Sequence, residues 1–345
     1  RFEVWRVGEE RRLSMVAELI RDHIHLEGID QYLKSTGIKE NDFLPIEPAR
    51  FSGEIFAVDG SNAALCGWMT ARVNLIRAGY AVYRGREWQR TAITFDDLFL
   101  ADPLLCQSNF DPYLEHYFGL KGIDLQESDL DRLSSYYREM QEYLAINDAL
   151  DHASPGDVIL YDGSFEVFEP LRAVLSVIFN RASERGVALL AVSKSSSLSW
   201  GDEITRPFVQ HTALAGSRLC PGEAWCLSLK DKNVEAGQGR WGGQSYVVRF
   251  SGQTSLAFRV DAPAYLSQDL GAVLGKLADH SSSAESMGYP HALFRAHRDI
   301  RITEQEASGA RQRLMARLME MGMTIAQIRM LMLDYHDILE MKSRF

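Results

Sequence analysis

The sequence predicts an α/β protein, a mixed sheet flanked by helices, with further helices at both ends. Three observations carry this reading. Two apolar segments, Glu54-Ile-Phe-Ala-Val-Asp59-Gly60-Ser61 and Val158-Ile-Leu-Tyr-Asp162-Gly163-Ser164, each bring the same three residues to the end of a strand. Between them lie two more extended stretches and a long amphipathic helix. After them a helix leads into a short, wholly apolar strand at 187–192. The predicted order is therefore three meander strands, helix, strand, helix, strand.

Residues 11–35 read as one amphipathic helix, with Leu13, Val16, Leu19, Ile20, Ile24 and Leu26 near helical spacing. A polar link with Pro45 and Pro48 leads to the first strand at 54–59. Extended stretches at 65–78 and 80–93, rich in Val, Tyr, Thr and Trp, complete a meander with Gly79 and Gly85 read as its turns. Pro103, Pro112, Gly119 and Gly122 make 96–126 irregular. A helix over 128–151 carries Leu130, Leu133, Tyr137, Met140 and Leu144 on one face, and Ser154-Pro155-Gly156 stops it. The second Asp-Gly-Ser strand follows, then a helix over 166–185 closed by Gly186. The strand at 187–192 ends in Ser193-Lys194-Ser195-Ser196. A β-rich stretch over 224–260 is broken by a Gly-rich turn at 237–243. Helices return at 266–287 and 303–343. There is no internal repeat. The expected division is a helical segment at 1–50, a core domain at 51–300 and a C-terminal helical segment at 301–345.

At 345 residues, 46% apolar and 24% charged, the chain can bury a sizeable core. Its four cysteines lack metal-ligand spacing and read as structural thiols of a reducing compartment. No run of eighteen apolar residues and no signal peptide occur, so a cytoplasmic protein without a membrane partner is expected. The net charge of −10 is informative, because proteins that wrap nucleic acid unaided are usually basic. Either this chain leaves nucleic acid alone, or it grips a short stretch locally and a partner delivers the strand.

The element order is that of a ribonuclease-H-like core, in which the first and fourth strands are neighbours. Asp59 and Asp162 would then converge, and a third carboxylate is expected from the helix between them. Paired hard oxygen ligands on a rigid sheet suit Mg²⁺ or Mn²⁺ acting on phosphate. Two glutamates compete for the third place. A helix antiparallel to a strand of about 20 Å covers it in roughly thirteen residues, which reaches 138–142. At helical spacing Glu139 falls among Tyr136, Tyr143 and Ile146, and Glu142 beside Ala145 and Ala149. Both stay open.

Ala57-Val-Asp59-Gly-Ser61, Leu160-Tyr-Asp162-Gly-Ser-Phe165, Ala191-Val-Ser-Lys194-Ser-Ser196 and Tyr289-Pro290-His291-Ala-Leu-Phe-Arg-Ala296-His297-Arg298 resemble the NurA nucleases. The four motifs occur in that family's order, over residues 50 to 300. The resemblance implies a Mn²⁺- or Mg²⁺-dependent DNA nuclease, holding two ions. It implies 5′–3′ exonuclease and single-strand endonuclease activity in DNA end resection and double-strand break repair. It also implies a homodimer that works with the hexameric ATPase HerA. Carried over by position, the metal ligands are Asp59, Asp162 and a helical glutamate, with Lys194 and His297 as further active-site groups. Glu142 is favoured because it precedes the run Tyr-Leu-Ala, as the family's glutamate precedes a similar run; the doublet keeps Glu139 as the alternative. Phe165 stands where the family usually has leucine. In such a site Asp59 would bridge the ions, Lys194 would face the scissile phosphate, and His297 would shuttle a proton or bind the outer metal.

Plainer readings stand beside these. A lysine after a strand is ordinarily a solvated loop residue, a lone histidine on a helix is ordinarily structural, and His291 fits that description better than His297. The stretch from Tyr80 to Trp88, with Tyr83, Arg84 and Arg86, could stack bases or be an edge strand. Actin-like and sugar-kinase-like phosphotransferases share a related core, but no Gly-rich adenosine loop is present. A metal-dependent adhesion site requires serine where Ala63 stands. A non-catalytic scaffold for an ATPase ring need not keep three carboxylates. The N-terminal helix and the helices of 303–343 are candidate dimer or partner surfaces.

Overall fold

Residues 2–25, 28–68, 70–166, 169–201, 206–233 and 242–332 are described by the computed structural model of the chain. Helices α1 (Phe2–Ile24) and α2 (Ile29–Thr36) precede a short strand β1 (Leu44–Pro45). Three long strands follow, β2 (Glu54–Trp68), β3 (Ala71–Arg84) and β4 (Glu87–Ala101), then α3 (Cys106–Phe118) and α4 (Leu130–His152). Next come β5 (Val158–Asp162), α5 (Arg172–Glu184), β6 (Ala188–Ser193), and the short pair β7 (Ser199–Trp200) and β8 (Arg206–Pro207). Helix α6 (Phe208–Leu219) leads to β9 (Trp225–Ser228), β10 (Gly243–Arg249) and β11 (Phe258–Pro263). The last helices are α7 (Leu270–His280), α8 (His291–Ile300), α9 (Glu304–Glu320) and α10 (Ile325–Met332). The fold class is α/β, a ribonuclease-H-like mixed sheet flanked by helices. No helix among the described residues is long and apolar enough to cross a membrane.

The chain forms two compact units, Arg1–Phe51 with Ala191–His291, and Ser52–Leu190 with Ala292–Phe345. In the second, which holds Asp59, the strand order is β4-β3-β2-β5-β6. β2, β3 and β4 are antiparallel neighbours, and β5 runs parallel to β2. Side chains alternate across a strand, so Phe56, Val58 and Gly60 face α4 while Ala57, Asp59 and Ser61 face α8 and α9. The contacts agree: Tyr80 of β3 packs its ring 5.7 Å from Phe56 and donates to Asp148 of α4. On the other face, Ser61 Oγ accepts from the Ile302 amide, and Leu65 packs with Ala307 and Ala310 of α9.

The parallel pairing of β2 and β5 has a visible clamp. Asp157, buried just before β5, accepts the Glu54 amide on one oxygen and the Ser154 amide on the other, both at 2.8 Å. That fixes the two strand starts against each other. Val58 then pairs with Tyr161, and Asp59 comes level with Asp162.

In the unit that holds Lys194, β9, β10 and β11 are antiparallel neighbours, β1 pairs with β9, and β11 pairs with residues 191–193 of β6. Tyr32, Phe43, Trp200, Phe208 and Trp225 form its aromatic core.

Several expectations need correction. β2 does not end at Asp59 but runs on to Trp68, so Gly60 and Ser61 lie inside a strand and only the second Asp-Gly-Ser ends one. The hairpin reversals come after Trp68, where β2 ends, and at 85–86, between β3 and β4. Gly79 is not a turn: it sits in β3 opposite Asp59, at a register shift against β4. A Cβ there would come 2.2 Å from the Ala92 carbonyl oxygen, so the glycine marks a close backbone approach. Residues 96–126 are not irregular throughout, since β4 extends to Ala101 and α3 tolerates Pro112. The helix expected over 11–35 is two helices. Most of the Gly-rich turn at 237–243 and the end of the last expected helix lie outside the described residues.

Candidate metal centre

The site starts from the point where β5 stops and β2 continues. Asp59 is 5% exposed, and its Oδ1 accepts the Gly60 amide at 2.8 Å. His297 reaches it from α8, whose Ala292, Leu293, Ala296 and Ile300 are buried and leave His297 on the outer side. Nδ1 of His297 lies 2.9 Å from Asp59 Oδ2. An ionised carboxylate only accepts, so Nδ1 carries the hydrogen and Nε2 of the neutral ring carries the lone pair. Asp162, half-buried at the end of β5, completes a trio. One ligand atom each from Asp59, Asp162 and His297 lies within 4.8 Å of the others.

Glu142 is not in that trio; it approaches from the α4 face. Only 1% exposed, it seats its carboxyl against Gly60, where a Cβ would come 2.3 Å from Oε1. Gly60 is therefore required by space rather than by a turn. Oε2 accepts from Tyr161 at 2.9 Å, and Arg138, one helical turn earlier, brings Nη1 to 3.5 Å from Oε1. Even so, Oε1 is buried with no hydrogen-bond partner. Burial pushes this carboxyl up to about 8, against the pull of Arg138, and the charge of Asp59 pushes the same way as burial. The Arg138 guanidinium is the cation set against it. Glu139 points elsewhere: it accepts from Tyr143 of its own helix, and burial pushes it up to about 7.

The remaining sequence candidate, Lys194, is exposed just past β6 in the other unit, with Nζ 5.3 Å from the Tyr289 ring centre. Tyr289 donates to the Val192 carbonyl. His291 stands at the start of α8, with its ring 6.2 Å from that of His280. Of the stretch from Tyr80 to Trp88, Tyr80 and Tyr83 are core residues, Arg84 pairs with Glu54, and Trp88 is exposed.

Three residues around Glu142 escape sequence reading: Gly60 as its seat, and Arg138 and Tyr161 as its supports. The available signals were the i, i+4 spacing of Arg138 to Glu142 and the strand alternation that turns Tyr161 toward α4. The donor set fits a divalent cation. It joins two strand carboxylates and a histidine.

No protein-family model and no curated protein matches this sequence. Among solved structures, the NurA nuclease from Sulfolobus solfataricus is similar at 14% identity, over 92% of this chain and 98% of that one, with a TM-score of 0.56. A second NurA structure matches at 12% identity over 86% and 95%, with a TM-score of 0.44. A NurA bound to dAMP and manganese matches at 13% identity over 87% and 94%, with a TM-score of 0.40. The chain has a NurA-like fold.

Proposed function

We propose that this chain is a divalent-metal-dependent nuclease that hydrolyses phosphodiester bonds of DNA. One observation carries the reading: Asp59, Asp162 and His297 each bring a ligand atom within 4.8 Å of the others. Mn²⁺ or Mg²⁺, two ions in this reading, would be held by Asp59, Asp162, Glu142 and His297. When bound, such ions supply Lewis acidity at phosphate oxygens and a more acidic water.

The chain's own groups do the rest. The sheet holds the two aspartates at fixed spacing, so little reorganisation accompanies the reaction. Tyr161 and Arg138 steady the Glu142 carboxyl at the Gly60 notch. Asp59 orients the His297 ring and leaves the basic nitrogen, Nε2, as the atom His297 would offer a cation. Lys194, assigned by motif resemblance, would add positive charge toward the scissile phosphate.

The finer parts rest on the ordered NurA-like motifs. They are 5′–3′ exonuclease and single-strand endonuclease activity, a place in end resection and double-strand break repair, a HerA-type hexameric ATPase partner, a homodimer and a cytoplasmic location. The net charge of −10 supports a partner that feeds DNA in, because the chain as a whole would repel a polyanion.

The test is cleavage of linear single- and double-stranded DNA with Mn²⁺ by the wild type, Asp59→Ala and Asp162→Ala. The expected loss is about a hundredfold or more in each variant, since even outer-shell partners of a metal often cost 10- to 100-fold. Cleavage surviving both substitutions overturns the reading.

A further inference from the structure

Helix α8 does more than present His297. It crosses from β2, where His297 meets Asp59, to β4, the last strand in the order of its unit. There Asp299 accepts from Thr91 of β4 at 2.7 Å and pairs with Arg295 at 2.6 Å. The guanidinium of Arg295 is 4.5 Å from the ring centre of Trp88. The indole N–H of Trp88 donates to Thr91 Oγ1 at 3.2 Å.

Trp88 is thus fixed through its nitrogen and through one ring face, yet remains 45% exposed. It pairs with Tyr83, which pairs with Ile55, so it lies level with a residue four positions before Asp59 and on the same face of the sheet. With strands about 4.8 Å apart and a rise of about 3.3 Å per residue, Trp88 lies roughly 16 Å from Asp59. At a rise of about 3.4 Å per nucleotide that is up to about five stacked nucleotides, and fewer in a drawn-out strand.

We propose that Trp88, clamped by Arg295, is a stacking platform for one base of a single-stranded DNA segment leading to the Asp59–His297 centre. The proposal rests on the nuclease reading and adds a strand-positioning residue to it. A planar ring is sequence-tolerant, because every base has a face to stack. Arg295 keeps the indole from turning flat onto the protein, and the exposed Arg298 beside His297 gives a passing phosphate a counter-charge.

The experiment pairs protein and DNA changes. Labelled oligodeoxythymidylates carrying one abasic nucleotide, scanned along the strand, are cleaved with Mn²⁺ by the wild type, Trp88→Ala and Trp88→Phe. Trp88→Ala should raise KM about tenfold, the lower part of the range for losing one stacked base. An abasic nucleotide a few positions from the cleaved bond should cost the wild type a similar factor and cost Trp88→Ala nothing more. Trp88→Phe should recover most of the loss. A merely packing role for Trp88 would not single out one nucleotide. If the wild type cleaves and abasic costs match in wild type and Trp88→Ala at every position, the platform is overturned and the nuclease reading stands. If the wild type neither binds nor cleaves these strands, both fall together.

Discussion

His297 Nδ1 lies 2.9 Å from Asp59 Oδ2, joining two residues that are 238 positions apart in the chain. The contact ties helix α8 to strand β2, so the ring's tautomer and the aspartate's orientation are set by one bond. His297→Ala should lower metal-dependent cleavage by about 10²-fold or more, since even outer-shell partners of a metal often cost 10- to 100-fold. Because the His297 side chain is 53% exposed, melting temperature should stay near that of the wild type. Steady-state cleavage together with a thermal melt checks this. A large drop in melting temperature would make His297 structural instead.

Gly60 and Gly79 should fail in different ways. At Gly60 a new methyl meets the end of the Glu142 side chain, whereas at Gly79 it meets the Ala92 carbonyl of the neighbouring strand. Gly60→Ala should displace the carboxyl and cost at least about tenfold in metal-dependent cleavage, the scale of disturbing a metal's supporting groups. Gly79→Ala should cost about 1–3 kcal/mol of folding stability, as overpacking does. Denaturant unfolding and cleavage assays on both variants separate the two effects.

The pH dependence follows from Glu142. Its carboxyl is raised from an ordinary 4.5 to about 8 in the metal-free fold, chiefly by burial. A raised acid binds its proton more tightly when folded, so its contribution is fully present below 4.5 and is lost as pH rises toward 8. The metal-free wild type should therefore lose stability relative to Glu142→Gln between those pH values, by at least about 2 °C in melting temperature. Melts at pH 5 and pH 8 in chelator check the sign. Glu139→Gln should leave cleavage much closer to the wild type than Glu142→Gln does.

Asp157 sets the pairing of β2 with β5 by accepting two amides. Asp157→Ala leaves the Glu54 and Ser154 amides without their partner and should cost about 1–3 kcal/mol. Chemical denaturation measures it, and a neutral result would mean that the strand pairing needs no clamp.

Much of this architecture is readable from residue order. Apolar runs ending in Asp59 and Asp162, with one long helix between them, place the two strands side by side because that order closes a ribonuclease-H-like sheet. The meander itself is less readable. Gly79 carries the local signature of a turn, yet it serves a close approach between strands, and one sequence does not distinguish the two. The length of β2 is hidden for the same reason, since Gly60 reads as a stop while its missing side chain makes room for Glu142. Pro112 and Gly119 mask α3, although a proline in the second turn leaves most of the helix intact. The choice between Glu139 and Glu142 turns on which of them faces Gly60, a tertiary fact that periodicity along α4 does not contain.

The central claim is that Asp59, Asp162, Glu142 and His297 hold a divalent cation. Calorimetric titration of Mn²⁺ into the wild type and into Asp162→Asn tests it without reference to DNA. The account predicts saturable binding to the wild type, weakened at least about tenfold in the variant, whose melting temperature without metal stays unchanged. Equal Mn²⁺ affinity in the two proteins would contradict it.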